Sequence, residues 1–169
     1  LELEAKAAIS LKIKKTGQEI IFFEKNSQEP LPIASLTKLM TAIIVLENRK
    51  YDLENAWLTV SKMAADQENV PNYGNLKGGE KLSTRELLNL MLVYSSNDAA
   101  FALAELGGLE NFVEIMNQKA AQLGLENTHF VNPTGLDPEN LYYHPPTQKH
   151  FNYSTAQDLT ELARYIVNN

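Results

Sequence analysis

Apolar and polar residues alternate near the start of the chain. The alternation runs over Ala8–Lys14 and is typical of a strand with one buried face. A second apolar run, Glu19–Glu24, follows after Thr16–Gly17, a pair that favours a turn. The chain is therefore predicted to open with a β-hairpin.

A different pattern follows, in which apolar residues occupy nearly every position. A helix like Leu39–Leu46, apolar on almost all sides, belongs in the middle of a domain. A β-branched run of this kind can also be a buried strand, but its length and its Leu, Met and Ala content favour a helix. Pro32 helps to end the preceding loop, so Ser35 is predicted at or near the helix N-terminus.

The rest of the chain is predicted to be mostly helical. Ser83–Glu86 is a capping box before a buried helix, which is interrupted at Tyr94–Asp98. Further helices are predicted over Ala99–Leu106 and Asn111–Leu123, and a last one begins within Ser154–Thr155. A hairpin followed by helices indicates an α+β fold. Inward-facing positions are predicted at Ile9, Leu11, Ile13, Trp57, Leu159, Leu162, Ala163 and Ile166.

Composition excludes several functions. A chain of 169 residues, 44% of them hydrophobic, can bury one sizeable core, so one domain is expected. A net charge of −6 argues against a nucleic-acid or anionic-membrane surface. No apolar segment reaches transmembrane length, and Leu1–Glu4 is acidic where a signal peptide is basic. With no Cys, and no metal-ligand spacing among His129, His144 and His150, neither a metal nor a cofactor is predicted.

Ser35 and Lys38 are the first candidates for chemistry. Helical residues three apart share a face, so Lys38 is predicted to lie one turn from Ser35. The apolar helix gives the lysine little polar surface, and burial shifts a lysine toward its neutral form. A neutral lysine beside a serine hydroxyl is a base beside a nucleophile. The alternative is a helix cap followed by a solvated lysine, the usual meaning of Ser-X-X-Lys.

Ser95 and Asn97 lie where the second buried helix breaks. Ser and Asn side chains compete for backbone hydrogen bonds, so a simple helix break is one interpretation of this segment. The other is that a second hydroxyl and an amide point toward Ser35 and Lys38. Serine acyl-transfer sites of the Ser-X-X-Lys type contain such a Ser-X-Asn element.

Six segments occur together in one order: Pro32–Ala42, Gly78–Glu80, Ser95–Ala100, Leu123–Phe130, Gly135–Asp137 and Ser154–Leu159. They resemble the D-alanyl-D-alanine carboxypeptidases among the low-molecular-mass penicillin-binding proteins, from about Ala7 to the chain end. The resemblance implies a serine β-lactamase/DD-peptidase-like fold, in which an antiparallel sheet packs on helices beside a helical subdomain. Residues 1–169 are then the N-terminal portion of one catalytic domain.

The same resemblance implies extracytoplasmic work on peptidoglycan stem peptides, binding of β-lactam antibiotics, and no cofactor. Ser35 would attack the penultimate D-Ala carbonyl and Lys38 would take its proton. Ser95 would relay a proton to the leaving amine, and Asn97 would hold Lys38 and a substrate carbonyl. Water would then release the acyl group from Ser35.

One motif of the family is missing. Its Lys-Thr-Gly motif lies on a strand beyond the last helix, and no such motif follows that helix before Asn169. Lys15–Gly17 has this sequence, but it falls in the opening turn, where the family also has Thr-Gly. We therefore expect an incomplete sheet, weak or absent activity for residues 1–169 alone, and self-association through the open sheet.

Two other functions remain open. A serine β-lactamase needs a deacylating Glu in a Glu-X-X-Leu-Asn element and usually has Asp where Ser96 stands. Glu139 is the nearest match, in a different context. A non-catalytic relative that binds cell wall or a partner is supported by the missing motif. It is opposed by four retained residues: Ser35, Lys38, Ser95 and Asn97.

Overall fold

The computed structural model of the chain describes residues 3–14, 17–67, 74–137 and 151–169. Some sequence predictions concern residues outside these ranges and stay predictions. They are those for Leu1, Glu2, Lys15, Thr16, Glu139, His144 and His150.

The opening hairpin forms as the alternation predicts. Strand β1 (Ala8–Ile13) pairs antiparallel with β2 (Glu19–Lys25). One face of this pair meets the last helix of the chain, and the Arg164 guanidinium of that helix forms an ion pair with Glu19. The hairpin also presents apolar residues to solvent, since Phe22 is 65% exposed.

The central helix is buried, as its composition predicts. A single 3-10 turn, Ala34–Leu36, leads into α1 (Thr37–Glu47). Every residue from 40 to 45 is buried, and α1 contacts three other helices of the domain. The core therefore surrounds α1, and its first turn marks one end of that core.

Two short strand pairs connect distant parts of the chain. Strand β3 (Leu31–Pro32), just before the central helix, pairs with β6 (Tyr153–Ser154), just before the last helix. Strand β4 (Trp57–Thr59) pairs with β5 (Lys81–Ser83). The first of these pairs brings the segment around residue 152 against the start of α1.

The structure describes five further helices, of which the first was not predicted and the other four lie close to their predicted positions. They are α2 (Lys62–Ala65), α3 (Thr84–Val93), α4 (Asn97–Glu105), α5 (Leu109–Gln122) and α6 (Ala156–Asn168). The predicted capping box at the start of α3 is present. Helix α4 begins two residues earlier than predicted because the Ser96 hydroxyl caps it, accepting from Ala99 N at 3.2 Å. Helix α5 also begins two residues early.

Four predicted inward positions are wrong: Ile13, Trp57, Ala163 and Ile166. Side chains alternate along a strand, and because Leu58 faces the core, Trp57 faces outward and is 65% exposed. Ile13 and Ala163 line a groove that is open to solvent between the hairpin and α6. Leu162 of helix α6 is buried, as predicted.

Helices together with antiparallel strand pairs make an α+β fold, as predicted. In the part of the chain that the structure describes, the strands form three two-stranded sheets. No described helix combines the length and the apolar character needed to cross a bilayer.

Candidate active site

Ser35 lies in the 3-10 turn immediately before α1, close to the helix N-terminus as predicted. The residue before it, Ala34, has a φ of 44°, in the left-handed region that residues with a side chain rarely adopt. Such a conformation persists only where surrounding contacts enforce it. The serine is solvent-exposed, so its hydroxyl is accessible to a substrate.

Lys38 occupies the first turn of α1 and is almost completely buried, with 3% of its surface exposed. Its Nζ lies 3.1 Å from Ser35 Oγ, which agrees with the predicted hydrogen-bond distance. Burial deprives the ammonium of water and lowers the pKa of Lys38 to about 8. The side chain is therefore neutral, and able to accept a proton, much more often near neutral pH than a lysine in solvent is.

Ser95 lies in the break between α3 and α4, with its side chain directed at Ser35. The two hydroxyl oxygens are 2.9 Å apart, although 60 residues separate the serines in sequence. Ser95 also has a positive φ, of 57°. The structure thus places one serine hydroxyl between a lysine amine and a second hydroxyl.

Asn97 is the first residue of α4 and is buried, with 9% of its surface exposed. It follows Ser95 by two residues. Its predicted contact with the Lys38 amine remains a prediction.

The sequence analysis missed one part of the site, the turn at residues 132–136. Lys38 Nζ donates a hydrogen bond of 2.7 Å to the backbone carbonyl of Thr134. Further along α1, Thr41 Oγ1 donates to the carbonyl of Pro133 at 2.7 Å. The buried Asn132 side chain shapes the turn, because its Oδ1 accepts from the backbone N–H groups of Thr134 and Gly135.

A signal for this contact exists in the sequence. Thr37, Lys38 and Thr41 interrupt an otherwise apolar helix, and Thr37 and Thr41 lie one turn apart on one face. Buried polar side chains need hydrogen-bond partners, so this face predicts a polar segment packed against it. The sequence Asn132–Gly135 itself indicates a turn, but not what that turn packs against.

Gly135 allows the 132–136 turn to approach Ala34, the residue before Ser35. Its φ is 87°, and a Cβ placed on it would lie 2.0 Å from the Ala34 carbonyl oxygen. Any side chain here would therefore collide with the peptide group that precedes Ser35. The turn and the strained Ala34 conformation fit together only when residue 135 is glycine.

The sequence profile of the D-alanyl-D-alanine carboxypeptidase family matches residues 1–169. The chain belongs to this family. It is 35% identical to carboxypeptidase DacF of Bacillus subtilis, over 97% of the chain and 39% of that relative. It is 37% identical to a D-alanyl-D-alanine endopeptidase of Pseudomonas aeruginosa, over 88% of the chain and 43% of the relative. The chain thus spans about two fifths of the length of these curated relatives.

Solved structures agree with this assignment. A peptidoglycan synthesis regulatory factor of Streptococcus pneumoniae superposes with a TM-score of 0.86 at 32% identity, over 99% of this chain and 51% of that one. A penicillin-binding protein of Listeria monocytogenes, solved with cefotaxime bound, superposes with a TM-score of 0.77 at 30% identity. The match covers 99% of this chain and 64% of that one. The predicted DD-peptidase-like fold is confirmed.

We expect the buried Lys38 of this family member to make stability depend on pH. Its pKa is about 8 in the native state and 10.5 ordinarily, so between these values the unfolded chain binds more protons. The free energy of unfolding should therefore rise with pH across this window, and Lys38→Met should lack that rise. Urea unfolding at a series of pH values measures it. Lys12→Met, at an exposed strand position, is the control and should follow the parent. If the difference in the free energy of unfolding between the parent and Lys38→Met is the same at every pH, the lowered pKa of Lys38 is contradicted.

Gly135→Ala should damage the site much more than a glycine change of equal backbone strain. Gly124 also has a positive φ, of 71°, but no atom lies within 4 Å of a Cβ built there. Gly124→Ala should thus cost about 1 kcal/mol in the free energy of unfolding, whereas Gly135→Ala adds a steric clash. Urea unfolding of both variants tests this. Equal losses would show that the close approach to Ala34 is unimportant.

Proposed function

We propose that this chain carries the nucleophile half of a serine D-alanyl-D-alanine carboxypeptidase that removes the terminal D-Ala from peptidoglycan stem peptides outside the cytoplasm. The observation that carries the proposal is the contiguous set of Ser35, Lys38 and Ser95, with a buried amine 3.1 Å from one hydroxyl and a second hydroxyl at 2.9 Å. Family membership supports the substrate, because D-alanyl-D-alanine is the substrate named for the family.

The geometry fits acyl transfer through an acyl-enzyme. The Ser35 hydroxyl proton passes to neutral Lys38 Nζ as Oγ bonds to the penultimate D-Ala carbonyl carbon. That proton is then delivered, by way of Ser95, to the nitrogen of the terminal D-Ala as the C–N bond breaks. Water then attacks the carbonyl carbon of the resulting ester and gives a proton to Lys38 Nζ. Lys38 passes that proton to Ser35 Oγ as the ester C–O bond breaks, which restores the serine hydroxyl and releases the shortened peptide.

The lowered pKa of Lys38 supports its role as the base. A lysine at its ordinary pKa of 10.5 is almost entirely charged near neutral pH and cannot accept a proton. At a pKa of about 8 it accepts the serine proton and still returns it readily. In this proposal Asn97 assists by holding the Lys38 side chain and a substrate carbonyl.

β-Lactam antibiotics are proposed as inhibitors that acylate the same serine. The Listeria relative was solved with cefotaxime bound, which supports this extension. Endopeptidase cleavage is a second candidate, favoured by the similarity to the Pseudomonas endopeptidase. It uses the same chemistry on a different amide bond, so assays should include cross-linked as well as linear peptides.

Substitutions in a form of the protein that includes a Lys-Thr-Gly strand test the roles. Ser35→Ala should abolish acylation by benzylpenicillin, and Lys38→Ala should reduce it nearly as much because the base is lost. Asn97→Ala should slow acylation less. Intact-mass spectrometry over time measures the rate, with Lys12→Met as a control that should acylate normally. If Lys38→Ala reacts at the parental rate, another base is at work.

Residues 1–169 alone should behave differently from such a form. Apolar side chains are exposed on the hairpin and on α6, where Phe22 is 65% and Val167 is 84% exposed. Paired strands with open edges and apolar faces favour pairing with another chain. We therefore propose self-association, and very slow acylation because the wall formed by Lys-Thr-Gly is missing. Loss of one oxyanion donor costs about 10²–10³ in rate.

Light scattering beside intact-mass analysis after benzylpenicillin tests both expectations. Phe22→Ser, on the outer hairpin surface, should reduce association while leaving the acylation rate unchanged. A monomeric 1–169 chain that acylates Ser35 as fast as a longer relative would show that both expectations are wrong.

A further inference from the structure

Asn152 lies next to the active site but plays no part in the chemistry proposed above. It precedes strand β6 and is 3% exposed. Its backbone carbonyl accepts a hydrogen bond of 3.1 Å from Ile33 N, two residues before Ser35. The residue therefore contacts the segment that leads into the nucleophile.

The Asn152 side chain joins two further segments of the site. Its Nδ2 donates to Thr37 Oγ1 at 2.8 Å and to the Asn132 carbonyl at 2.9 Å. Its Oδ1 accepts from the backbone N–H groups of Val131 at 2.7 Å and Asn132 at 3.2 Å. Both donors and the acceptor of the amide are thus used to bind the start of the 132–136 turn to the start of α1.

We propose that Asn152 is a positioning residue for Lys38, because it holds the 132–136 turn where the Thr134 carbonyl meets the lysine amine. A carbonyl oxygen can only accept, so one N–H bond of Lys38 Nζ must point at Thr134. In the neutral amine this fixes the rotation of the nitrogen and leaves its lone pair available to Ser35. The inference rests on the proposed role of Lys38 as base.

The turn also covers the amine. The observed partners of Lys38, the Ser35 hydroxyl and the Thr134 carbonyl, are uncharged, and burial is the cause of its lowered pKa. A turn released from Asn152 would admit water to the ammonium. The Lys38 pKa should then rise toward its ordinary value, and the lysine should be less often neutral at a given pH.

Asn117 provides a matched control. Its side-chain amide also binds the backbone just before the 132–136 turn. It donates to the Phe130 carbonyl at 2.8 Å and accepts from Phe130 N at 2.9 Å. That contact lies two residues before Asn132 and does not join the segment to α1. Asn117→Leu should therefore lower the free energy of unfolding without changing the pKa of Lys38.

The experiment compares Asn152→Leu with Asn117→Leu in two ways. The benzylpenicillin acylation rate is measured against pH, in a form that includes the Lys-Thr-Gly strand. The Lys38 side-chain resonance, assigned through Lys38→Arg, is titrated by NMR in the same protein. Asn152→Leu should be acylated about tenfold or more slowly than the parent. The acid limb of its rate–pH profile and the NMR titration of Lys38 should both move to higher pH. Asn117→Leu should match the parent in both.

The proposal is overturned if folded Asn152→Leu shows the parental rate and titration. It is also overturned if both asparagine variants shift equally, because the effect would then be a general loosening. If the parent does not acylate, the proposed function fails, and the NMR titration still decides whether Asn152 controls the environment of Lys38.

A milder variant covers the case in which Asn152→Leu does not fold. Thr37→Val keeps the shape of the side chain and removes only the hydroxyl that accepts from Asn152. It should move the Lys38 titration in the same direction by a smaller amount. Thr84→Val is its control, since Thr84 is also fully buried and its hydroxyl has no hydrogen-bond partner among the described residues. Identical titrations for the two threonine variants would contradict the proposal.

Discussion

The active site depends on keeping one lysine amine where water cannot solvate its charge. An apolar helix supplies the burial, and two neutral oxygen atoms replace only part of the lost hydration. This arrangement costs stability, because a charged Lys38 would be more favourable in solvent. The same burial lowers the pKa of the amine that lies against Ser35. Under the proposed role of Lys38 as base, stability and chemistry are therefore opposed at this position.

Local backbone strain fits the same picture. Each serine of the site is associated with a left-handed backbone conformation. Ala34, which precedes Ser35, has a positive φ, and so does Ser95 itself. The hydroxyl oxygens of the two serines lie 2.9 Å apart. Contacts with the 132–136 turn, including the close approach of Gly135 to Ala34, hold the first of these conformations in place. The turn is therefore as much a part of the site as the residues that react.

Local patterns predicted most of the fold and the reacting residues, while long-range contacts were not predictable from them. The hairpin, the capping box at Ser83 and the buried central helix follow from periodicity and turn chemistry. Trp57 is predicted to face the core, but its place on a short strand turns it outward. Asn152 gave no signal, since an isolated asparagine before a helix is usually a loop residue; only tertiary structure places it against Thr37.

The contacts that complete the site join residues far apart in sequence: 60 positions between the two serines, 96 between Lys38 and Thr134, and 115 between Thr37 and Asn152. Closing such loops is entropically unfavourable until much of the core has formed. The contacts around Ser35 therefore form late in folding. In a newly synthesised or partly unfolded chain, neither the Lys38 amine nor the Ser95 hydroxyl lies beside the Ser35 hydroxyl. Under the proposed function, the long loops would delay the reactivity of Ser35 until the domain around it has assembled.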